Sequence, residues 1–471
     1  MKKTEDDILY NEQKELMNKQ DLPNIKIINK YTTKNYKKII YNKNSLLKKS
    51  IYVCLFILLL LYLIYFINNY FSKNSFKKIS NNTITKDESI NKIKIKLKNV
   101  NVNKNETLKK DESKNKMKDL SKQKLNEQNE TKESPQKNDI IKYKKKRVGL
   151  IGVEIDQNPG NNLIKYAMFT KLKEYGFDPI VIAKIKRDNR IDFLSNKVKL
   201  KIIKYSFKEL KEEDYDILMI NSDLSWTFSN RADFYDNAFL HFAQKWNTSR
   251  FIYGASMGTM NWFYSRYDDE MAKKLLKDFM GISFREIGTA KMAEEHLGIK
   301  ALFVLDPTFL LDKSYYLDLI KNYKRDFDFN RKYIMIYQLD KNEIIKKFIK
   351  DAVNKLNYTI YEVSHQDEYY VENFLFAMNI SKAVISDSFH GSIFSIIFNK
   401  PFISFINYVR GGQRFASLRD TFNLSNRIID SENSNPDINL LIEPLKINQT
   451  RLKELKNISI NFLKKNLGVV N

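Results

Sequence analysis

The residues whose types and spacing best suit chemistry lie in one short stretch, residues 383–406. A strand-like apolar run over 383–385 leads into the polar triplet 386–388, then His390 and Gly391, and then a helical pattern. In an open α/β sheet, ligands bind at the carboxyl ends of strands, where the next helix offers unpaired N–H groups to an anion. A histidine there can transfer protons near neutral pH. The stretch therefore predicts an anion site with an acid–base group, and the alternative is a capped helix with an incidental histidine.

Alternating strands and helices surround this stretch and must position it. One set of short apolar runs and helical stretches occupies residues 147–312, and a second occupies 333–471 and includes a C-terminal helix. A charged, poorly patterned segment over 313–332 connects them. The alternation predicts an α/β protein of two Rossmann-like, doubly wound domains that face a cleft, the GT-B arrangement.

Individual elements follow from the same patterns. Strands are expected at 148–155, 179–183, 217–221, 251–253, 281–284, 301–304, 333–337, 358–363, 383–386, 401–406 and 427–429. Helices are expected at 161–175, 343–356, 369–378, 390–398 and 415–422. Their spacing predicts parallel sheets, because parallel strands need crossover connections between them.

Composition divides the chain before residue 147 into three parts. Lys49 and Lys73 bracket 23 uncharged residues, and this apolar run predicts a single transmembrane helix over 51–71. It lies too far along the chain for a cleaved signal peptide, and no small-residue cleavage site follows it. Residues 1–50 form a basic tail, and 72–146 form a Lys/Asn-rich stalk that is too polar to bury a core and is expected to be disordered.

The orientation of this predicted anchor follows from charge and from the order of the parts. Five lysines lie in the fifteen residues before the apolar run and four lie in a similar stretch after it, which slightly favours a cytoplasmic N-terminus. Tail, span, stalk and domain follow each other as in resident membrane proteins of the Golgi. We therefore expect a single-pass type II membrane protein of the Golgi in a eukaryote, with a bacterial inner-membrane enzyme as the alternative.

The formal net charge of +25 does not indicate nucleic-acid binding. Residues 1–50 carry twelve lysines and six acids, and residues 68–147 carry 23 basic and ten acidic residues. Most of the excess charge thus lies in polar segments that are poor in aromatics, outside the predicted domains. Zinc-ligand spacings and RNP-like runs do not occur, so nucleic acid is excluded as the expected partner.

Metal-dependent chemistry has little support in the sequence. The single cysteine, Cys54, lies in the predicted span, so the predicted domains have neither a disulfide nor a thiolate ligand. Asp326-Phe327-Asp328 has the Asp-x-Asp spacing with which glycosyltransferases hold a nucleotide diphosphate and metal, but it lies in the connecting segment. We expect no metal and no cofactor.

Five sequence blocks resemble the polysaccharide pyruvyl transferases, in the order that this family has. They cover residues 147–430 and read Asn161-Asn162-Leu163-Ile164, Tyr253-Gly254-Ala255-Ser256-Met257-Gly258, Ile282-Ser283-Phe284-Arg285-Glu286, Val304-Leu305-Asp306-Pro307-Thr308 and Ser386-Asp387-Ser388-Phe389-His390-Gly391. The resemblance implies two facing α/β domains. It also implies transfer of the pyruvyl group of phosphoenolpyruvate onto two hydroxyls of a glycan acceptor, forming a ketal and releasing phosphate.

The resemblance also implies roles for particular residues. His390 is the expected catalytic acid–base group, and Arg285 is expected to bind the carboxylate or phosphate of the donor, because arginine pairs bidentately with oxyanions. Arg410 lies about where family members place a second essential cation, and Arg414 is a weaker candidate for the same task. The alternative interpretation of Arg285 is a surface ion pair with Glu286, and that of Arg414 is a charged residue at the start of a helix.

Smaller polar residues complete the expected site. Ser388 and Gly391 flank His390 and are expected to contact substrate. Asn161 and Asn162, at the first strand–helix turn, are expected to contact it from the other domain, although turns often carry such residues. Asp387 either orients the histidine or caps the helix, and the cap is favoured.

Two departures from the family pattern bear on the donor. Some members have arginine where this chain has Ser388, and many have glutamine where it has Leu224. Arg410 or Arg414 compensates for the missing charge, or the donor differs. Two alternatives to pyruvyl transfer therefore stay open: a GT-B sugar-nucleotide glycosyltransferase and a non-catalytic glycan-binding membrane protein.

Overall fold

The computed structural model describes residues 144–153, 156–184, 192–203, 206–227, 231–259, 261–430 and 435–469. The predicted tail, the predicted span over 51–71 and almost all of the predicted stalk lie outside these ranges. Within them, no helix combines the length and the apolar character needed to cross a bilayer. The anchor and the localisation that depends on it stay predictions.

The first half of the described chain forms a seven-stranded parallel sheet in the order β3-β2-β1-β4-β5-β6-β7. Its strands are β1 Arg147–Ile151, β2 Asp178–Lys184, β3 Leu200–Ile203, β4 Ile217–Asp223, β5 Ser249–Ala255, β6 Gly281–Phe284 and β7 Leu302–Phe303. The helices among them are α1 Pro159–Glu174, α2 Asp192–Lys197, α3 Arg231–Phe239, α4 Arg266–Leu276, α5 Ile287–Leu297 and α6 Lys313–Leu319. This strand order is that of a Rossmann-like domain.

The second half forms a five-stranded parallel sheet in the order β12-β11-β10-β8-β9. Its strands are β8 Tyr333–Tyr337, β9 Thr359–Glu362, β10 Ala383–Ser386, β11 Phe402–Phe405 and β12 Ile428–Ile429. The helices are α7 Glu343–Leu356, α8 Tyr370–Ile380, α9 Phe389–Ile397, α10 Gly412–Phe422 and α11 Gln449–Leu467. The order corresponds to the flavodoxin-like arrangement of a doubly wound sheet.

Local sequence accounts for the central strand and the first helix. In β1, Leu150 lies beside Met219 of β4 and Val181 of β2, and all three side chains are buried. A strand that is covered on both faces needs such a continuous apolar run. Helix α1 then begins at Pro159, whose fixed φ suits the first helical position. Asn158 caps it by accepting the backbone N–H of Gly160 at 2.9 Å.

The predicted α/β class and the parallel sheets are confirmed, and most expected elements lie within two residues of their predicted bounds. Strand β3 and helices α2 and α6 were not predicted. Helix α6 occupies part of the segment predicted as a connection. Strand β3 has the sequence Leu-Lys-Ile-Ile at the sheet edge, with Lys201 and Ile202 exposed. It therefore lacks the continuous apolar run of a central strand.

One continuous core joins the two sheets. Its apolar side chains come from both of them, among them Met219 of β4 and Tyr337 of β8, and it includes Phe462 of α11. The ring of Phe462 lies 6.4 Å from that of Phe251 on β5, and Ser459 accepts the backbone N–H of Leu305 at 2.9 Å. The C-terminal helix follows the second sheet in the chain and thus packs on the first sheet.

Candidate active site

A large cavity in the described part of the chain lies where the two sheets face each other. It has a volume of about 680 Å³. In each sheet the strand order reverses at one point, between β1 and β4 in the first and between β8 and β10 in the second. Asp156, Asp223, Leu339, His390 and Arg410 line the cavity and follow or end β1, β4, β8, β10 and β11. Both reversal points therefore open into one space, as expected for a ligand site of doubly wound sheets.

Serine residues shape the turn between β10 and α9. Ser386 donates to the carbonyl of Tyr337 at 2.6 Å and accepts the N–H of Ser388 at 3.0 Å. Ser388 caps α9 by accepting the N–H of Gly391 at 3.4 Å, and it also lines the cavity. A Cβ at Gly391 would collide with the Ser386 hydroxyl. Ser388 therefore remains a candidate substrate contact, whereas Gly391 lies behind the cavity wall and allows the turn to close.

His390 lies between the two domains. It is 5% exposed, and its Nε2 lies 3.6 Å from Asp306 Oδ2, slightly longer than a hydrogen bond. No hydrogen-bond partner of this buried Nε2 is present among the described residues. On the Nδ1 side the ring packs against Gly160 in the first turn of α1, so closely that a Cβ there would overlap the imidazole. Asp306 and Gly160 of the first domain thus hold the histidine of the second.

The expected roles of Asp387 were both wrong. Its carboxylate accepts the backbone N–H groups of Leu339 at 2.6 Å and Asp340 at 3.0 Å, and the side-chain amide of Asn407 at 3.2 Å. Ser388 rather than Asp387 caps α9. Burial raises the pKa of Asp387, although these hydrogen bonds oppose the shift. Asp387 therefore fixes the loop after β8, and Asp306 is the carboxylate beside His390.

Arg285 lies inside the protein, where it pairs with two carboxylates. Its side chain is fully buried, with Nη1 2.6 Å from Asp306 Oδ2 and Nη2 2.8 Å from Asp223 Oδ1. Its Nε has no hydrogen-bond partner among the described residues and lies 3.8 Å from Glu286 Oε1. Arg285 does not line the large cavity. The alternative of a surface pair with Glu286 is wrong, because both side chains are inside the protein.

This arginine sets the charge of two carboxylates at the site. Burial alone would raise the pKa of Asp223, but the positive charges of Arg285 and Arg414 outweigh it and hold the pKa at about 2. Burial also opposes ionisation of Asp306, yet His390 and Arg285 lower its pKa overall. Both carboxylates are therefore ionised near neutral pH, and Asp306 presents a negative charge to the imidazole.

The other two arginines lie on the cavity wall. Arg414 is buried, with Nη1 3.6 Å from Asp223 Oδ1, and burial together with nearby Arg285 lowers its pKa to about 10. The guanidinium carbons of Arg285 and Arg414 lie 5.2 and 5.1 Å from the ring centre of Phe389, so this ring contacts both cations. Arg410 is about half exposed and forms a bidentate pair with Asp340, at 2.6 and 3.0 Å.

The two asparagines of the first turn differ in what they contact. Asn162 donates to the backbone carbonyls of Asp156 and Asn158 at 3.0 and 2.9 Å, so it stabilises the turn and does not line the large cavity. Asn161 lines the cavity, donates to Asp156 Oδ1 at 3.1 Å and accepts from the ammonium of Lys165. Only Asn161 is placed to contact a substrate there.

Lys165 was missed in the sequence. It lies one helical turn after Asn161 on α1 and is 5% exposed. Burial lowers its pKa to about 8, although the charges of Asp223 and Asp156 oppose the shift. The available signal was its position at i+4 from Asn161, which places both on one helix face. Asp223 and Asp306 were missed as site residues because their partners are distant in sequence.

Two observations concern metal binding. Among the described residues, no three histidine or acidic side chains form a group that could hold a metal ion. In the Asp-x-Asp triplet, Asp328 pairs with Arg331 at 3.1 Å on the surface, and neither aspartate lines the large cavity. The triplet therefore does not lie where it could hold a nucleotide diphosphate in the large cavity.

A glycine-to-alanine change tests the packing around the histidine. Gly160→Ala should displace the imidazole and lower kcat by at least tenfold, while destabilising the fold by about 1–3 kcal/mol, as overpacking does. The matched control is Gly176→Ala, since Gly176 has φ of +86° and nothing near its Cβ position. That variant should lose about 1 kcal/mol of stability and no activity. Equal kcat values for Gly160→Ala and wild type would contradict this packing.

The pKa of Lys165 predicts how stability depends on pH. Because the folded pKa is about 8 and the unfolded value is 10.5, the unfolded chain binds more protons between these values. Stability should therefore rise with pH through this window, by up to about 3 kcal/mol relative to Lys165→Met. Urea unfolding at pH 7.5, 9 and 10 measures this, with the exposed Lys347→Met as control. A pH dependence shared by all three proteins would contradict the burial of Lys165.

Residues 158–408, more than half of the chain, match the model of the polysaccharide pyruvyl transferase family. The protein belongs to this family and is a transferase. The match spans both halves of the large cavity, from the cap of α1 to the loop that follows β11. The curated proteins include no match to this chain.

Several solved structures resemble the chain distantly. The UDP-GlcNAc 2-epimerase of Neisseria meningitidis, bound to UDP-GlcNAc, is 11% identical over 68% of this chain and 100% of its own, with a TM-score of 0.44. The UDP-GlcNAc 2-epimerase of Methanocaldococcus jannaschii is 12% identical over 68% and 99%, with a TM-score of 0.42. MurG of Acinetobacter baumannii is 9% identical over 68% and 99%, with a TM-score of 0.37.

Proposed function

We propose that this protein transfers the pyruvyl group of phosphoenolpyruvate onto two hydroxyls of a glycan, in the large cavity between the sheets. The observation that carries the proposal is the position of His390. A histidine from one domain lies against an ionised carboxylate of the other, at the wall of a cavity that also presents Arg410 and Arg414. An acid–base group beside cations suits a donor that is an anion and must gain a proton at carbon.

The donor needs cations for its phosphate and carboxylate, and two arginines can provide them. Arg414 is already on the wall, where Asp223 and Phe389 hold it. Arg410 is bound to Asp340 on an exposed loop, so an incoming phosphate can exchange for that carboxylate at small desolvation cost. The pair would replace the charge that some family members carry at the position of Ser388. Arg285 acts behind them by holding Asp223 and Asp306.

The proposed reaction balances with this chain's own groups. C3 of phosphoenolpyruvate gains a proton and becomes a methyl group, while one sugar hydroxyl forms a bond to C2. The C2–O bond to phosphate then breaks, and the second hydroxyl bonds to C2 to close the ketal. The two hydroxyl protons account for the proton gained at C3 and the one carried away by phosphate. His390 would relay them, with Asp306 stabilising the imidazolium.

The test compares donors with the purified full chain and a panel of oligosaccharide acceptors. Release of phosphate from phosphoenolpyruvate that requires an acceptor supports the proposal. Turnover only with a nucleotide sugar would make the protein a glycosyltransferase. Glycan binding with no turnover of either donor would make it a binding protein.

Removing the exposed arginine should mainly weaken donor binding. Arg410→Ala should raise the KM for phosphoenolpyruvate about 10- to 100-fold, the range for a hydrogen-bonded charged group, with a small change in kcat. Asp340→Asn is the matched control, because it removes the same ion pair but keeps the arginine. It should leave the KM unchanged or lower it. Equal increases in KM for both variants would mean that the ion pair, and not a contact with the donor, is what matters.

A further inference from the structure

Lys165 lies directly behind the wall of the large cavity and does not itself line it. Its ammonium contacts Asn161 and lies near Asp156 and Asp223, and all three of these residues line the cavity. A lysine that is only 5% exposed is unusual, because burial of its charge is costly unless the charge is paired. The proposed reaction uses His390 and the arginines, and it leaves this cation without a role.

A series of hydrogen bonds connects Lys165 to the cavity surface. Its ammonium donates to Oδ1 of Asn161, and the amide nitrogen of Asn161 donates to Asp156 Oδ1 at 3.1 Å. The same carboxylate oxygen accepts the backbone N–H of Asn158 at 3.0 Å, and Asn158 caps α1. Lys165 therefore fixes the orientation of the Asn161 amide and, through it, supports the position of Asp156 at the cavity wall.

Lys165 also belongs to a group of charges that act on each other at this wall. Asp156, in the turn before α1, and Asp223, at the end of β4, act on it directly. The other charged or titratable groups near Asp223 are Arg285, His390 and Arg414. Both carboxylates line the cavity and would repel an anionic donor. The two arginines offset the charge of Asp223, and Lys165 adds a positive charge near both carboxylates.

We propose that Lys165 is a positioning residue for the anionic donor, and that the affinity of the large cavity for an anion depends on the charge of this lysine. The inference rests on the proposed function, because that function assigns the donor to this cavity. Costly buried charges of this kind are concentrated at functional sites. Lys165 would act through Asn161, which it orients, and through Asp156 and Asp223, whose charge it offsets.

The experiment measures the Kd for phosphoenolpyruvate by calorimetry on the full chain, at pH 7.5 and pH 9. At pH 7.5 Lys165→Met should bind about eightfold more weakly than wild type, because one charge acting over roughly 10 Å inside a protein changes affinity by about tenfold. Burial lowers the pKa of Lys165 to about 8, so most of its charge is lost by pH 9. Wild-type affinity should therefore fall about fourfold between the two pH values, and the two proteins should then differ by less than about twofold. Loss of charge from Arg414, whose pKa is about 10, is common to both proteins.

Two further variants separate the effect of charge from other effects of the substitution. Lys173→Met removes an exposed ammonium from the same helix and should leave both Kd values at the wild-type level. Lys165→Gln keeps a hydrogen-bond donor for Asn161 but has no charge, so it should lose the pH dependence just as Lys165→Met does. If Lys165→Met does not fold, Lys165→Gln and the pH dependence of the wild type decide the question.

Equal Kd values at pH 7.5 for wild type and for both Lys165 variants would overturn the inference, as would a pH dependence that all of them share. If phosphoenolpyruvate binds and shows this result, the inference fails and the proposed function stands. Sulfate, whose charge is constant over this pH range, is the second probe. If wild type binds sulfate with the expected dependence on Lys165 but does not bind phosphoenolpyruvate, the role of Lys165 stands and the pyruvyl-transfer proposal fails. Binding of neither anion would overturn both.

Discussion

Replacement of His390 by alanine should lower kcat for pyruvyl transfer by about 10² to 10⁴, the usual range for losing a general acid–base group. The imidazole lies at the cavity wall with its Nε2 3.6 Å from Asp306, and the described part of the chain places no other histidine on that wall. The KM for phosphoenolpyruvate should change much less, because Arg410 and Arg414 remain. Initial rates of phosphate release over a range of donor concentrations measure both constants.

His241→Ala is the matched control for this variant. The side chain of His241 is 47% exposed and does not line the large cavity, so kcat should stay at the wild-type value. Because His390 itself is buried against Gly160, His390→Ala should also lose about 1–2 kcal/mol of stability. A folded His390→Ala protein that keeps near-normal kcat would show that the histidine is structural.

Replacement of Arg285 by alanine should destabilise the protein by about 3–5 kcal/mol, the range for removing one partner of a buried ion pair. The change leaves Asp223 and Asp306 in the interior without the guanidinium that bonds both of them. The two carboxylates would then repel each other, and their pKa values would rise. Activity should fall as well, because a protonated Asp306 no longer presents a negative charge to His390. Urea unfolding at pH 7.5 measures the loss.

Two further variants show whether charge burial is the cause. Arg331→Ala removes an exposed arginine from a pair with Asp328 at 3.1 Å and should cost less than about 1 kcal/mol. Adding Asp223→Asn and Asp306→Asn to Arg285→Ala should restore part of the lost stability, because neutral amides are easier to bury than unpaired carboxylates. If Arg285→Ala and Arg331→Ala were equally stable, the buried cluster would not have the energetic role assigned to it.

The sequence predicted the elements whose signal is local. Buried parallel strands such as β8 and β10 are apolar runs of four or five residues between helices, and both have their predicted bounds. Strand β3 lies at a sheet edge with Lys201 exposed, so its short mixed sequence has no comparable signal. Helix α6 also has a weak sequence signal. Tyr316 is its one buried residue, so its sequence has no apolar stripe of helical period.

The site residues show the same difference between a local sequence signal and contacts that are distant in sequence. His390 was found because the strand, the polar turn and the helix that position it are consecutive in the chain. Its partner Asp306 lies 84 positions earlier. The two carboxylates that pair with Arg285, Asp223 and Asp306, follow or end two other strands. Such contacts depend on how the sheets are ordered and packed, which no local pattern contains. The spacing of Lys165 from Asn161 places both on one helix face, but the burial of Lys165 depends on how α1 packs in the folded protein.

The most direct test of pyruvyl transfer follows the carbon atoms of the donor. Phosphoenolpyruvate labelled with ¹³C at C2 is incubated with the full chain and an oligosaccharide that it binds, and the glycan product is examined by NMR and mass spectrometry. The proposed function predicts the label in a ketal carbon on the glycan, with one phosphate released for each ketal formed. An unlabelled glycan, or label recovered only as free pyruvate, would contradict it.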